Sequence, residues 1–178
     1  GDTDQPYNEA DHKDPQGVYG QSKNQGEELL LKSLCEHVII RTSWLFSPYG
    51  NNFVKTIARL AKERSQLQVV EDQWGRPTYG LDLAKAVLHL IDNNSIYNFP
   101  ILHYANQGKC NWKQFAAAII KEMGIQCSVQ GVTSENYPTL AKRPKFSILD
   151  TERIEQQLGI TIPTWQNSLK DCIQILNS

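Results

Sequence analysis

The sequence predicts an α/β fold: the C-terminal portion of a doubly wound parallel sheet, joined to a smaller, mainly helical region. Three observations predict it. Short β-branched or apolar runs at 38–42, 67–71 and 101–105 alternate with longer amphipathic segments, the pattern of parallel strands joined by crossover helices. The last third loses that alternation, and Pro144 and Pro163 divide it into short pieces. The 178 residues, 40% apolar and 21% charged, are enough to bury a core of ordinary globular type.

Residues 1–18 are dominated by Asp, Asn, Gly and Pro and read as a loop. A helix is expected over 19–36, with Leu29, Leu30 and Leu34 on its buried side. The run V-I-I-R-T (38–42) is a buried strand, and S-W-L-F-S-P-Y-G a loop. Asn51 or Asn52 caps a helix over 52–65, whose Phe53, Val54, Ile57, Ala58, Leu60 and Ala61 recur at helical spacing. A strand at 67–71, a Gly/Pro loop at 72–80 and an amphipathic helix at 81–92 follow. After a strand at 101–105, a helix runs from Asn111 to Met123, with Gly124 as its C-cap. Residues 127–132 are extended, and short helices are expected near 134–140, 151–158 and 165–176.

Composition excludes several functions. The net charge of -1, with 18 basic and 19 acidic residues, lacks the basic surplus of a nucleic-acid binder. No apolar stretch approaches the roughly 20 residues that span a membrane. The polar first residues hold no signal-peptide core, so a cytoplasmic location is expected. Cys35, Cys110, Cys127 and Cys172 form no C-x-x-C pair, and His12, His37, His89 and His103 have no metal-ligand spacing. Reduced thiols and no metal are therefore expected.

Four segments carry chemistry. In Y-G-Q-S-K, Tyr19 and Lys23 stand at i and i+4, one turn apart on a helix face. A phenol is a weak acid–base group at neutral pH, and a neighbouring ammonium favours its ionised form. Such a phenol can protonate a carbonyl oxygen as hydride reaches the carbon. The alternative is an exposed helix on which Lys23 pairs with Glu27. With seven tyrosines and twelve lysines in the chain, the spacing alone is weak evidence. In R-T-S-W-L-F-S-P-Y-G-N-N-F (41–53), a strand end runs into a loop, where α/β folds place ligands. Trp44 there offers a flat face to a sugar or base, or packs in the core. Asn51 and Asn52 either contact a phosphate or cap the helix. In D-Q-W-G-R-P-T (72–78), Gln73 and Arg76 can reach a diphosphate, Arg76 as a forked donor; otherwise Arg76 is a solvated turn residue. In A-K-R-P-K-F-S-I-L-D-T (141–151), Arg143 and Lys145 can neutralise diphosphate charge, while Asp150 and Thr151 most simply open a helix.

The full run Pro15-x-Gly17-x-Tyr19-Gly20-x-Ser22-Lys23-x-x-Gly26-Glu27 resembles the catalytic helix of the extended short-chain dehydrogenases that act on sugar nucleotides. Pro6-Tyr7-x-Glu9-x-Asp11 resembles a loop of the same group. The remaining segments, and the closing G-I-T-I-P-T-W-x-x-S-L (159–169), resemble in order those of the dTDP-4-dehydrorhamnose reductase family. Trp74, Arg76 and the pair Glu152-Arg153 depart from its pattern.

The resemblance implies a Rossmann-like sheet and reduction of the 4-keto group of dTDP-4-dehydro-L-rhamnose by NADPH or NADH. It makes Tyr19 the acid and Lys23 the residue that holds the nicotinamide ribose. It implies a substrate set of Trp44, Asn51, Asn52, Gln73, Arg76 and Arg143, with Trp165 in packing. Residues 1–100 would supply the second half of the dinucleotide domain, and 101–178 mainly the substrate region. No G-x-G-x-x-G turn occurs, and the catalytic Ser or Thr of the family would precede residue 1. This chain by itself is therefore expected to bind cofactor poorly and not to turn over. Its uncovered sheet edge would favour self-association, and a homodimer is one assembly this allows. Three other readings stay open: another sugar-nucleotide epimerase or dehydratase, a non-catalytic partner like the regulatory subunit of methionine adenosyltransferase, and a substrate-binding module alone.

Overall fold

The structure, a computed structural model, describes residues 5–93, 100–137 and 143–178. Its elements run in the order α1 (Val18–Lys32), β1 (Ile39–Arg41), β2 (Leu45–Phe46), α2 (Phe53–Glu63), β3 (Gln66–Val70), β4 (Trp74–Gly75), β5 (Thr78–Tyr79), α3 (Gly80–Asp92), β6 (Ile101–His103), β7 (Cys110–Asn111), α4 (Trp112–Glu122), β8 (Ser128–Val132), a 3-10 turn (Ser134–Asn136), α5 (Glu152–Leu158) and α6 (Trp165–Asn177). Three strand pairs are parallel: β1 with β6, β2 with β5, and β3 with β8. The β4–β7 pair is antiparallel. Parallel pairs joined through helices are the expected α/β arrangement.

Local sequence accounts for the helices that bury a face. In α2, Val54, Ile57, Ala58 and Ala61 are buried at i, i+3, i+4 and i+7, and the Asn52 side chain accepts from Lys55 N at 3.3 Å. In α4, Asn111 and Gln114 form a reciprocal capping box. Beyond α4 the backbone turns left-handed at Gly124, with Gly124 N bonded to Lys121 O and Ile125 N to Ile120 O. That is the double closure for which a C-terminal glycine is selected.

Several elements depart from the sequence reading. The first helix ends at Lys32, because Ser33 closes it: its amide and Oγ both donate to Leu30 O, at 3.0 and 2.7 Å. Leu29 and Leu34, expected to be buried, are 71% and 105% exposed, since no described element covers that face. Residues 43–50 and 72–80, expected as loops, hold β2, β4 and β5. These two-residue strands exist by long-range pairing, Leu45 with Thr78 and Phe46 with Tyr79, which no local alternation announces. The expected helix near 134–140 is a single 3-10 turn over Ser134–Asn136, and 138–140 lie outside the described residues.

Two cores form. One gathers Phe46, Val54, Ile57, Leu67, Tyr79, Phe115, Ile119, Trp165 and Leu169, among others. The second gathers Ala86, Leu90, Leu102, Tyr104, Ile154, Leu158 and Ile162. Each core draws on residues from both sides of residue 100. Trp165 is a core residue, as its position implied. A buried polar knot ties α3 to α6. Asp82 Oδ2 accepts from Ser168 Oγ at 2.5 Å and from Asn106 Nδ2 at 2.9 Å, while Asn106 Oδ1 accepts from Tyr79 N at 2.7 Å. Among the described residues, no helix is long and apolar enough to cross a membrane.

Candidate active site

Two clefts flank the strand ends. The first, about 440 Å³, lies between the 7–15 loop, α1, the end of β1 and residues 144–149; Lys23, Glu27, Arg41, Thr42 and His103 line it. The second, about 560 Å³, lies between α2, β3 and α4; Phe53, Arg64, Gln73, Trp112, Tyr137 and Arg143 line it.

Tyr19 and Lys23 stand on the first turns of α1, as their spacing predicts, with Lys23 Nζ 5.5 Å from the Tyr19 ring centroid. The ammonium thus sits over the face of the phenol. Tyr19 is 78% exposed and open to a reactant. Burial pushes the Tyr79 phenol up to about 12 and raises that of Tyr104, which makes those two poor acid–base groups. The alternative pairing of Lys23 with Glu27 does not form. Glu27 is held instead by Arg41, Nη2 to Oε2 at 2.7 Å and Nε to Oε1 at 2.9 Å, and by Lys13 at 3.2 Å. The Arg41 fork lowers the Glu27 carboxyl below its ordinary value, with Lys13 adding to it and partial burial opposing.

Behind Arg41 lies His103, buried, with Nε2 3.3 Å from Arg41 Nη1 and Nδ1 3.1 Å from Tyr7 O. Those partners fit a neutral ring that donates from Nδ1 and accepts at Nε2. Burial lowers its pKa first; Arg41 lowers it further, while Glu9 and backbone contacts oppose. The Glu9 carboxylate accepts from His103 N at 3.0 Å and faces Arg153 Nε at 3.4 Å. Sequence reasoning assigned no site role to Glu9, Glu27, Arg41 or His103. Glu9, Glu27 and Arg41 stand as charged residues within the quoted motifs, whereas His103 lies in none of them.

The substrate set expected from sequence divides. Gln73 and Arg143 meet at the second cleft. Trp44 lines neither cleft; its indole stacks on Trp112 at 3.6 Å and 10°, and Trp112 walls the second cleft with Phe53. Trp44 adopts φ 48°, the left-handed region that a large side chain enters only when its surroundings hold it there. Asn52 is committed as the α2 cap, and its Nδ2 donates to Ser47 O at 2.7 Å and to Tyr49 O at 3.3 Å. Asn51 is exposed beside it. Arg76 is neither a solvated turn residue nor a lining residue of either cleft: it is half-buried, and Nη1 donates to Leu149 O at 3.0 Å, bracing the 72–80 segment against 149–151. Trp112, which the sequence reading passed over, was signalled by its place next to the Asn111 cap and one turn before Phe115.

All four thiols are free, and burial pushes Cys110 up to about 12 and Cys172 up to about 11, which makes both poor nucleophiles. Among the described residues no group of three or more His, Cys, Asp or Glu is placed to hold a metal ion.

Residues 1–178 match the family model described as the RmlD substrate binding domain. The chain belongs to the RmlD substrate-binding domain family. Curated proteins similar to it include the dTDP-4-dehydrorhamnose reductase of Aggregatibacter actinomycetemcomitans, 42% identical over 174 residues, covering 93% of this chain and 59% of that protein. The spore coat polysaccharide biosynthesis protein SpsK of Bacillus subtilis is 41% identical over 170 residues, covering 96% and 58%. A crystal structure of the Bacillus anthracis dTDP-4-dehydrorhamnose reductase in complex with NADP superposes with a TM-score of 0.90 at 35% identity, covering 98% of this chain and 61% of that one. The chain thus spans about three fifths of the length of these proteins. It agrees with the motif order read from the sequence and with the parallel α/β architecture.

Proposed function

We propose that the full-length protein carrying this chain reduces the 4-keto group of dTDP-4-dehydro-L-rhamnose to dTDP-L-rhamnose, with NADPH or NADH as reductant. The reading places it in the cytoplasmic synthesis of activated rhamnose for surface polysaccharide. The observation that carries it is the Tyr19–Lys23 pair on α1, with Lys23 in the lining of the first cleft, in a chain of this family.

The cleft suits a nicotinamide ribose. Among the described residues Lys23 makes no ion pair, since Glu27 is held by Arg41 and Lys13. Its three N–H bonds remain for sugar hydroxyls. When bound, the nicotinamide supplies hydride to the substrate carbon. Tyr19 donates its phenolic proton to the oxygen that becomes the alcohol, and the neighbouring Lys23 charge stabilises the phenolate left behind. In the second cleft, Arg143 and Gln73 take the diphosphate, and the Phe53–Trp112 wall, backed by Trp44, packs against the base. Asn51 adds an exposed amide at the loop. Asn52 and Arg76 support the reading by shaping the loops on which these groups stand.

The test is turnover by the full-length protein, wild type beside Tyr19→Phe, following NADPH consumption with dTDP-4-dehydrorhamnose generated in place. The expected result is wild-type turnover and a kcat roughly 10²- to 10⁴-fold lower in the variant. A folded, cofactor-binding wild type that leaves this substrate untouched would overturn the reading.

A further inference from the structure

The helix that carries Tyr19 and Lys23 buries none of its side chains. Among the described residues, apolar packing of the usual kind therefore does not fix it on the rest of the chain. Tyr19, Lys23 and Glu27 recur at four-residue intervals and form one stripe along α1. At the end of that stripe the Glu27 and Arg41 side chains are only 16% and 19% exposed. Their two nitrogen–oxygen contacts, 2.9 and 2.7 Å, form a fork that constrains direction as well as distance. A single-point ammonium contact would leave the carboxylate free to swivel.

The fork is anchored on the sheet. Arg41 closes β1 and is the register partner of His103 in β6. Its remaining nitrogen meets His103 Nε2, and His103 is gripped by Tyr7 O and Glu9. A continuous path of contacts thus runs from the stripe of α1 into the β1–β6 pair. By contrast, the Asn24–Glu28 contact lies within the helix and fixes nothing outside it. Glu27, Arg41 and Lys23 also line the same cleft.

We propose that Glu27 is a positioning residue for the Tyr19–Lys23 pair: its fork with Arg41 sets the rotation of α1 about its own axis, and so where Lys23 Nζ stands in the cleft. The proposal rests on the reading of Tyr19 and Lys23 given above. Each helical residue turns the chain by about 100°. A loosened fork therefore lets the stripe drift off the cleft without unfolding the helix. Misplacement of a reacting group by about 1 Å costs on the order of 100-fold in rate.

The test uses the full-length protein with NADPH and the dTDP-4-dehydro sugar, comparing wild type, Glu27→Gln, Glu27→Asp and the charge-swapped double variant Glu27→Arg/Arg41→Glu. Steady-state kinetics and amide hydrogen exchange are read for each. Glu27→Gln is expected to lower kcat by roughly 10- to 100-fold, with KM for the sugar nucleotide within about threefold of wild type. Exchange should accelerate by about tenfold or more at 18–26 alone. The Asp or swapped variant should recover part of kcat. A loss of kcat that merely follows the folded fraction would overturn the proposal, as would wild-type exchange in α1 of Glu27→Gln. The exchange measurement needs no turnover. If wild type proves inactive on this substrate, the functional reading falls, and exchange at α1 still decides whether Glu27 docks the helix.

Discussion

A β-carbon on Gly75 would stand 2.5 Å from Cε2 of Trp44, so the backbone of the 72–80 segment is pressed flat against the Trp44 indole. The indole itself is held in a left-handed backbone conformation and stacked on Trp112. Gly75→Ala should therefore displace Trp44 from the stack and loosen the wall of the second cleft. The expected loss is about 1–3 kcal/mol of unfolding free energy, as for other overpacked sites. Urea titration reads the loss, and tryptophan fluorescence reads the disturbed stack. An alanine variant with wild-type midpoint and spectrum would refute the close approach.

Asn106 is the centre of the buried knot between α3, α6 and β5. Asn106→Ala leaves the buried Tyr79 amide without its acceptor and removes one of the two donors to Asp82 Oδ2, in a site almost closed to solvent. Each unsatisfied buried group costs about 1–3 kcal/mol, more where it is charged, so a loss of about 3 kcal/mol or more is expected. The check is a denaturant midpoint shift at unchanged m-value.

Stability should fall on the acid side in two stages. His103 has a folded pKa below its ordinary 6.5, so below that value the unfolded chain takes up a proton that the folded chain resists. The unfolding free energy then declines as pH drops beneath about 6.5. The groups facing the ring are Arg41, Glu9, the Tyr7 carbonyl and the backbone at Asp150, and the guanidinium makes protonation there unfavourable. Glu27 has a folded pKa below its ordinary 4.5; its contribution is complete above that value and disappears as pH falls through the folded pKa. Urea midpoints between about pH 7.5 and 5.5 should decrease in wild type and less steeply in His103→Gln. Equal slopes would show that His103 does not titrate as its burial requires.

If the second cleft takes the nucleotide diphosphate, Arg143→Ala should weaken dTDP binding by about tenfold, and more at low ionic strength. Arg76→Ala should act differently: Arg76 braces Leu149 and Thr151, so its loss should lower stability more than dTDP affinity. Calorimetric titration of both variants with dTDP, beside their thermal midpoints, separates the two roles. Equal losses of affinity would contradict the placement of Arg76.

The parts of the fold that were legible in the sequence were those written in local periodicity. Val54, Ile57, Ala58 and Ala61 announce the buried face of α2, and Asn111 and Gly124 announce the limits of α4, because caps and stripes are short-range devices. The pairing of Leu45 with Thr78 left no such trace, since two residues cannot display an alternation. Leu29 and Leu34 were misread for a related reason: periodicity tells which face of a helix is apolar and not what covers it. In the site, Tyr19 and Lys23 were legible because one helix carries both. The Glu27–Arg41 fork joins two motifs from separate elements, and the Trp44–Trp112 stack joins residues still further apart, so their partnership appears only once the strands are paired.

The chain passes from the first core to the second after Tyr79, returns by Cys110, leaves again before Ile154 and comes back at Trp165. The second core is not complete until Ile162 has been laid down, and the first not until α6 supplies Trp165, Leu169 and Ile173. Cutting the chain at any one peptide bond between Phe46 and Trp165 therefore yields no self-sufficient piece. Denaturation should be a single all-or-none event rather than the shedding of one lobe, and a nascent chain should stay protease-sensitive until α6 clears the ribosome.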